Sequence, residues 1–343
     1  MSASTRGLIP PALPHVYRVT KYDPADRNRH GHYTGTEDVV SDHGPVEAAY
    51  LEAVAAFARD TGVDRVAVRE PGVGGFVHFG AEPTVEGHGL AGLFPADLTG
   101  FHDGAEVSIP VAQELVRAML RDNGAWCRLE VEGAFAVHIG YDQYMYVGSR
   151  HPCGTALDRT RSLGLFPEPI DASPYDFEPD GPDGPEIPRP ADEDFWARVR
   201  LVVADSRETV LEEGHLSNAT RWHRLTDANL DAVRAGLAPR ARLAVWPDLF
   251  TDIATLLDSL PDEFAAEFVW EDAAGRIEYA FVDETELDEL TSRLAGARAG
   301  AFLSPDIGGR RPLLAAVLPD ADGVLRARWQ SDRTPVDGAR IRD

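Results

Sequence analysis

Residues 168–194, EPIDASPYDFEPDGPDGPEIPRPADED, constrain the fold of this chain more than any other segment. The stretch contains seven prolines and a dense set of acidic residues. Proline removes a backbone hydrogen-bond donor and like charges oppose compaction, so we predict an extended linker with a boundary near residue 180. Since 343 residues exceed one usual hydrophobic core, the predicted organisation is a lead-in (1–13), an N-terminal domain (14–170), an acidic proline-rich linker (171–191), a C-terminal domain (192–335) and a tail (336–343).

The N-terminal half predicts alternating strands and helices. The clearest helix is PVEAAYLEAVAAFARDTG (45–62), which has Pro45 at its first position and Gly62 at its end. Further helices are predicted over 110–124 and 151–164. Alternating or β-branched residues predict strands, including HVYRVTK, DRVAVRE, WCRLEVEG and one strand through AFAVHIGYDQYMYVGS (134–149).

The C-terminal half also mixes strands and helices, with a clear hairpin predicted around Ala274–Gly275. Further strands are predicted at RARLAVW and GVLRARW, and a helix at PDLFTDIATLLDSL (247–260). We therefore predict an α+β protein. It would have two α+β domains, each a mostly antiparallel sheet with helices packed on one face.

Charge and cysteine content exclude several classes of protein. The net charge is −24; residues 1–170 contribute −8 (14 basic, 22 acidic), which leaves −16 for the remainder. Such a field repels phosphate backbones but suits a basic protein partner. No apolar run is long enough to cross a membrane, and no spacing fits a cofactor fingerprint or zinc knuckle, so neither a cofactor nor a metal is predicted. Two cysteines form no disulfide framework, which favours a cytoplasmic location.

The stretch VHIGYDQYMYVGSRHPC (137–153) is the best candidate for a binding surface. On a strand, its aliphatic residues and Tyr141 share one face, while His138, Tyr144 and Tyr146 share the other. Aromatic rings on a sheet face next to arginine can stack on bases, although sheets also bury such rings beneath a loop. The predicted binding residues are Arg128, His138, Tyr141, Tyr144, Tyr146 and Arg150.

A weaker candidate for catalysis comes from the histidines of the N-terminal half. The segment RHGHYTGTEDVVSDHG (29–44) holds His30, His32, Asp42 and His43. Together with His138, these residues could form a metal-free acid/base group or a metal site, provided that they converge in space. The segment has no HExxH signature, and histidines in polar loops are usually only solvated. We therefore assign no catalytic residue.

Several motifs of the N-terminal half resemble a bacterial protein family. They are RVTKYDPADR, GHYTGTEDVVSDHG, WCRLEVEG, VHIGYDQYMYVGS and LGLFPEP, and the resemblance covers residues 14–170. Members of this uncharacterised, streptomycete-like family are often labelled as RNA-binding proteins. The family has no established activity, so the resemblance implies RNA association by label alone and transfers no residue role. Some relatives have an aromatic residue where Val39 and Val40 precede Ser41–Asp42 here.

Three functions remain open from the sequence. The first is a non-enzymatic cytoplasmic binding protein, RNA-associated through the aromatic and histidine sheet face. The second is a His/Asp-dependent hydrolase or nuclease. The third is an acidic antitoxin or immunity-type protein that binds a basic partner. We favour the first, and the sequence does not determine the oligomeric state.

Overall fold

The protein has a mixed α+β fold. In the computed structural model, the described residues are 12–30, 32–36, 43–78, 89–140, 144–176, 189–205, 209–303 and 311–327. Contacts divide the chain into an N-terminal unit (Gly7–Gly74 and Gly87–Pro185) and a C-terminal unit (Met1–Arg6, Gly75–Glu86 and Glu186–Asp343). No helix in the described ranges combines the length and the apolar character that crossing a bilayer requires.

The N-terminal unit is built on one antiparallel sheet. Its strands are β1 (His15–Thr20), β2 (Arg65–His78, of which Arg65–Gly74 belong to this unit), β3 (Glu106–Ser108), β4 (Ala125–Val131), β5 (Phe135–Ile139), β6 (Met145–Ser149) and β7 (Phe166–Ile170). Their spatial order is β3-β2-β4-β5-β6-β1-β7. Every pairing among them is antiparallel.

Three helices pack against one face of this sheet: α1 (Gly44–Thr61), α2 (Ile109–Leu120) and α3 (Gly154–Ser162). The predicted helix over 45–62 is confirmed, and Gly62 ends it in the left-handed region at φ 70°. Its fully buried Phe57 meets the ring of Tyr17 on β1, with centroids 5.7 Å apart. The side chains adjacent to Tyr17 on β1 therefore point to the opposite face of the sheet.

The prediction of one strand through 134–149 is wrong. The segment forms a hairpin of β5 and β6, closed by the Gly140 amide donating to the carbonyl of Tyr144 at 2.9 Å. In this hairpin Val137 pairs with Val147 and His138 pairs with Tyr146. In this register odd-numbered residues pair with odd-numbered residues, and even-numbered with even-numbered. Since paired residues share a face of the sheet, the faces are the same as they would be in one continuous strand. Hydrophobic periodicity alone does not separate the two arrangements.

The edge strand β7 overlaps the start of the proline-rich stretch. Its sequence FPEPI contains Pro167 and Pro169, and it pairs with β1 at the end of the sheet. An edge strand tolerates proline because one side of its backbone has no strand partner. Composition suggested a linker here, although the sheet extends to Ile170. Residues 177–188, most of the predicted linker, lie outside the described residues.

The C-terminal unit contains the remaining elements. They are α4 (Glu193–Asp205), β8 (Thr209–Leu225), α5 (Leu230–Gly236), β9 (Arg242–Trp246), α6 (Ile253–Asp258), β10 (Ala265–Glu271), β11 (Ile277–Asp283), α7 (Leu287–Arg293), β12 (Ala299–Phe302) and β13 (Leu314–Val317). Antiparallel pairing joins β13, β9 and β8 in one sheet and β11, β10 and β12 in another. The hairpin predicted around Ala274–Gly275 is confirmed. The helix predicted over 247–260 is shorter, and residues 324–327 of the predicted strand GVLRARW are not in a strand.

A buried carboxylate organises one end of β8. Glu213 is fully buried; its Oε1 accepts the Ala238 amide at 2.6 Å, and its Oε2 lies 2.7 Å from Nε2 of His223. Both residues belong to β8, and a straight extended chain of ten residues would separate them by about 33 Å. Since their side chains are in contact, β8 must reverse direction between Glu213 and His223. Burial raises the pKa of Glu213, but the bonds from His223 and Ala238, with the charges of His223 and Arg221, outweigh it and lower the pKa.

Candidate ligand-binding cavity

Two neighbouring rows of side chains shape the sheet face that points away from the helices. In the first row, large polar residues lie opposite one another across adjacent strands; the register pairs Arg69 with Arg128, His138 with Tyr146, Tyr146 with Arg18, and Arg18 with Glu168. In the second row Glu130 pairs with Ala136, Ala136 with Gly148, and Gly148 with Val16. Directly paired residues share a face of the sheet. The small residues of the second row therefore leave a recess beside the large ones.

This recess is a cavity of about 320 Å³. Its floor includes Ala136 and Gly148, and the polar row forms one wall through Arg128, His138 and Tyr146. Leu13 packs directly over the floor, because a Cβ added to Gly148 would lie 2.7 Å from its Cδ1. Any residue larger than glycine at this position would therefore have to displace Leu13.

His138 is held in a neutral state within the wall. It is 2% exposed, stacks on Tyr146 with centroids 5.3 Å apart, and meets the edge of Tyr175 at 5.3 Å. Its Nε2 lies 3.3 Å from Oγ of Ser173. Burial and the nearby charge of Arg128 lower the pKa of His138 to about 3. The imidazole is therefore uncharged at neutral pH.

A short turn from Ser173 to Asp176, the 173–176 turn, covers this wall. Arg128 donates from Nη1 to the carbonyl of Tyr175 and from Nη2 to Oδ1 of Asp176, the latter at 3.3 Å. Inside the turn, the Ser173 amide donates to Oδ2 of Asp176 at 3.1 Å. The turn falls in the segment that composition predicts as linker. A buried guanidinium instead ties it to β4.

A second buried arginine lies beside Arg128 on β2. Nε of Arg69 is 3.2 Å from Oδ1 of Asp103, and the same oxygen accepts the Glu70 amide at 2.9 Å. Glu130, which also lines the cavity, has its Oε1 4.0 Å from the same Nε. One guanidinium thus compensates two buried carboxylates at the inner end of the cavity.

The predicted binding residues have different positions. Arg128, His138 and Tyr146 line the cavity. Tyr144 is half-buried and packs on Tyr22 and under the guanidinium of Arg18. Arg150 is exposed and donates from Nε to the Gly133 carbonyl at 2.8 Å. Tyr141 lies outside the described residues.

The aromatic face therefore borders a cavity and is not open to solvent. His138 and Tyr146 are 2% and 4% exposed, and Tyr175 packs against the edges of both rings. A nucleobase that stacked on either ring would have to displace the 173–176 turn.

The predicted catalytic residues occupy three separate settings. His30 and His32 lie in the loop after β1 with centroids 6.5 Å apart, and Nε2 of His30 accepts from Arg29. His43 precedes α1 and has its Nδ1 4.0 Å from Glu47, while Asp42 lies outside the described residues. Within the described ranges, no hydrogen bond, ion pair or ring contact joins His138 to the other three histidines, and no group of three or more metal-ligating side chains occurs.

Sequence reasoning missed Ser173, Asp176 and the small-residue floor. A usable signal was present in WCRLEVEG, where Arg128 and Glu130 alternate with the apolar residues Cys127, Leu129 and Val131. Charged side chains on the non-helical face of a central strand indicate a polar interior there. No such signal showed that residues 173–176 cover the cavity wall. Their sequence, SPYD, resembles the proline-rich, acidic stretch that follows it.

Comparison with known proteins adds no further assignment to this geometry. No family model, curated protein or solved structure matches the chain. The resemblance over 14–170 therefore stays a prediction, and the functional argument depends on the cavity.

Proposed function

We propose that this protein is a cytoplasmic, non-enzymatic binding protein whose N-terminal unit holds a small organic molecule in the cavity. The observation that carries the proposal is a recess of about 320 Å³ with a small-residue floor and a wall of buried polar side chains. Ligand pockets are typically about 300–1,000 Å³, largely apolar, with a few oriented polar groups. The two unpaired cysteines, Cys127 and Cys153, support a reducing compartment.

The polar row is preorganised for recognition. Arg128 and His138 are locked by the 173–176 turn and by ring packing. Side chains that are already ordered lose little conformational entropy when a ligand binds. A fixed polar wall facing a small-residue floor suits a ligand with one polar end and one apolar end.

A hydrolase is the second candidate, because Oγ of Ser173 lies 3.3 Å from Nε2 of His138. Serine and histidine at this distance suit nucleophilic catalysis, in which histidine takes the serine proton. That role requires an imidazole that tolerates a positive charge. Here burial and Arg128 lower the pKa of His138 to about 3, so the imidazole is a weak base. The charge environment therefore favours binding over hydrolysis.

Ligand binding is tested on the full chain with a fragment panel, read by ligand-observed NMR and thermal shift. Ala136→Leu fills the floor of the cavity, and Ala48→Leu adds the same volume on the exposed face of α1. Fragments that bind the wild type and Ala48→Leu but not Ala136→Leu support the proposal. A panel without binders, or binders that ignore Ala136→Leu, contradicts it. Covalent labelling of Ser173 by a fluorophosphonate would favour the hydrolase.

Four predictions from the sequence do not depend on the cavity. RNA association, a basic protein partner, the two-domain arrangement and the acidic linker over 171–191 stay predictions. Covered rings in the cavity wall and a net charge of −24 give RNA little support from this site. Crosslinking at low salt would detect RNA if another surface binds it.

A further inference from the structure

The charges around the cavity are unequal. Among the residues that the structure describes, four charged side chains line it: one cation, Arg128, and three carboxylates, those of Glu130, Glu132 and Asp176. Arg69 and Asp103 lie directly behind Glu130 and form an ion pair with each other. This ion pair is neutral and leaves the net charge around the cavity unchanged. The carboxylates therefore exceed the cations by two.

Arg128 is not available to an anionic ligand. Its side chain is 5% exposed, and its two terminal nitrogens donate to Tyr175 and Asp176. Its Nε has no acceptor among the described residues, but that atom is fully buried and inaccessible to a ligand. An anion would have to displace Asp176 before it could pair with the guanidinium.

The carboxylates, in contrast, include one without a compensating charge. Glu132 lies in the exposed turn between β4 and β5 and has no ion-pair partner in the part of the chain that the structure describes. Asp176 is 46% exposed, so its far side remains accessible to solvent. Arg150 approaches this turn, because its Nε donates to the Gly133 carbonyl, and its exposed guanidinium adds one cation near the mouth of the cavity. Even with Arg150 counted, the carboxylates outnumber the cations.

We propose that the cavity takes a small organic cation, a protonated amine on a compact apolar body. This inference rests on the proposed binding function and names the ligand class for the same site. The ammonium group lies towards Glu132 and Asp176, and the apolar body packs on Ala136, Gly148 and Leu13. The net charge of −24 steers cations towards the protein and repels anions.

The cavity volume limits the size of this ligand. About 320 Å³ is roughly ten times the ~30 Å³ that one water molecule takes in the liquid. A single six-membered ring with a one-carbon or two-carbon amine arm fits within this volume.

Three probes of nearly equal shape test the charge. Benzylamine, benzyl alcohol and benzoate are titrated into the full chain at pH 7 by NMR, each against wild type and Ala136→Leu. We expect benzylamine to bind at least tenfold more tightly than benzyl alcohol, benzoate not to bind, and Ala136→Leu to remove binding. Glu132→Gln should weaken benzylamine about fivefold and leave benzyl alcohol unchanged, whereas Glu289→Gln, on the exposed face of α7, should change neither.

Each other outcome overturns a defined part of the argument. If benzyl alcohol or benzoate binds as tightly as benzylamine, and Ala136→Leu blocks it, the cavity is a binding site but the cationic class is wrong. If benzylamine binds equally to Ala136→Leu, its site is elsewhere and the inference is wrong. If neither these probes nor the fragment panel binds, the proposed function fails as well.

Discussion

His138 and Tyr146 lie directly opposite each other on β5 and β6, with rings inclined by 16° and centroids 5.3 Å apart. Tyr175 meets both rings edge-on, at 5.3 and 5.4 Å. The three rings exclude water from one side of the cavity, and Arg128 anchors the turn that carries Tyr175. The stability of this wall and the chemistry of the cavity therefore depend on the same few side chains.

Acidification should destabilise the protein through His138. Its folded pKa is about 3, against an ordinary value of 6.5, so between these pH values the unfolded chain binds a proton that the folded chain does not. Stability from this residue is present above pH 6.5 and is lost as pH falls, at up to about 1.4 kcal/mol per pH unit. Urea titrations at pH 7, 5.5 and 4.5 should show a steeper loss for wild type than for His138→Gln. An imidazole that titrates near pH 6.5 in the folded protein would contradict this.

Arg128→Met should detach the 173–176 turn. The substitution removes the donors to Tyr175 and Asp176 and leaves the half-buried Tyr175 carbonyl without its partner, which we expect to cost about 2–3 kcal/mol of unfolding free energy. Hydrogen exchange should speed up at the amides of Ser173, Tyr175 and Asp176, each of which donates a hydrogen bond within the turn. Arg150→Met, at an exposed position, serves as the control and should change stability by less than about 0.5 kcal/mol. Equal effects from the two variants would show that Arg128 has no anchoring role.

Gly148→Ala should destabilise the N-terminal unit through one contact. The added Cβ would lie 2.7 Å from Cδ1 of Leu13, so Leu13 must move, at a cost of about 1–2 kcal/mol. In the double variant Leu13→Ala/Gly148→Ala this clash disappears. Chemical denaturation of the two single variants and the double variant should therefore give a favourable coupling free energy of about 1 kcal/mol. Additive effects would mean that the two residues do not meet.

Glu213→Gln should destabilise the C-terminal unit. The carboxylate is fully buried and binds both the Ala238 amide and His223, so we expect a loss of about 3 kcal/mol. The pKa of Glu213 is lowered from its ordinary value of 4.5, so its contribution is present above pH 4.5 and is lost as pH falls through the folded pKa. The difference between wild type and Glu213→Gln should therefore shrink on acidification below pH 4.5. A difference that grows with acid would exclude an ionised Glu213.

Local sequence patterns were sufficient for the mixed α+β class, for α1 and for the hairpin between β10 and β11. A buried stripe at helical spacing, Pro45 at a helix start and Gly62 or Gly275 at a left-handed position are signals that neighbouring residues carry by themselves. The sequence also placed Arg128, His138 and Tyr146 in one candidate site. Side-chain alternation assigns the same faces to a single strand and to the observed hairpin of β5 and β6.

Tertiary structure alone decided what that face encloses. The cavity exists because Ala136, Gly148 and Val16, from three strands, align in one row beside larger residues. The 173–176 turn covers this cavity. Its proline-rich and acidic surroundings predict a linker, whereas in the structure the buried guanidinium of Arg128 binds the turn. Register and long-range ion pairs join residues far apart along the chain, and no local pattern encodes their meeting. Hydrophobic periodicity therefore determined which side chains leave the core, and strand pairing determined which of them share a cavity.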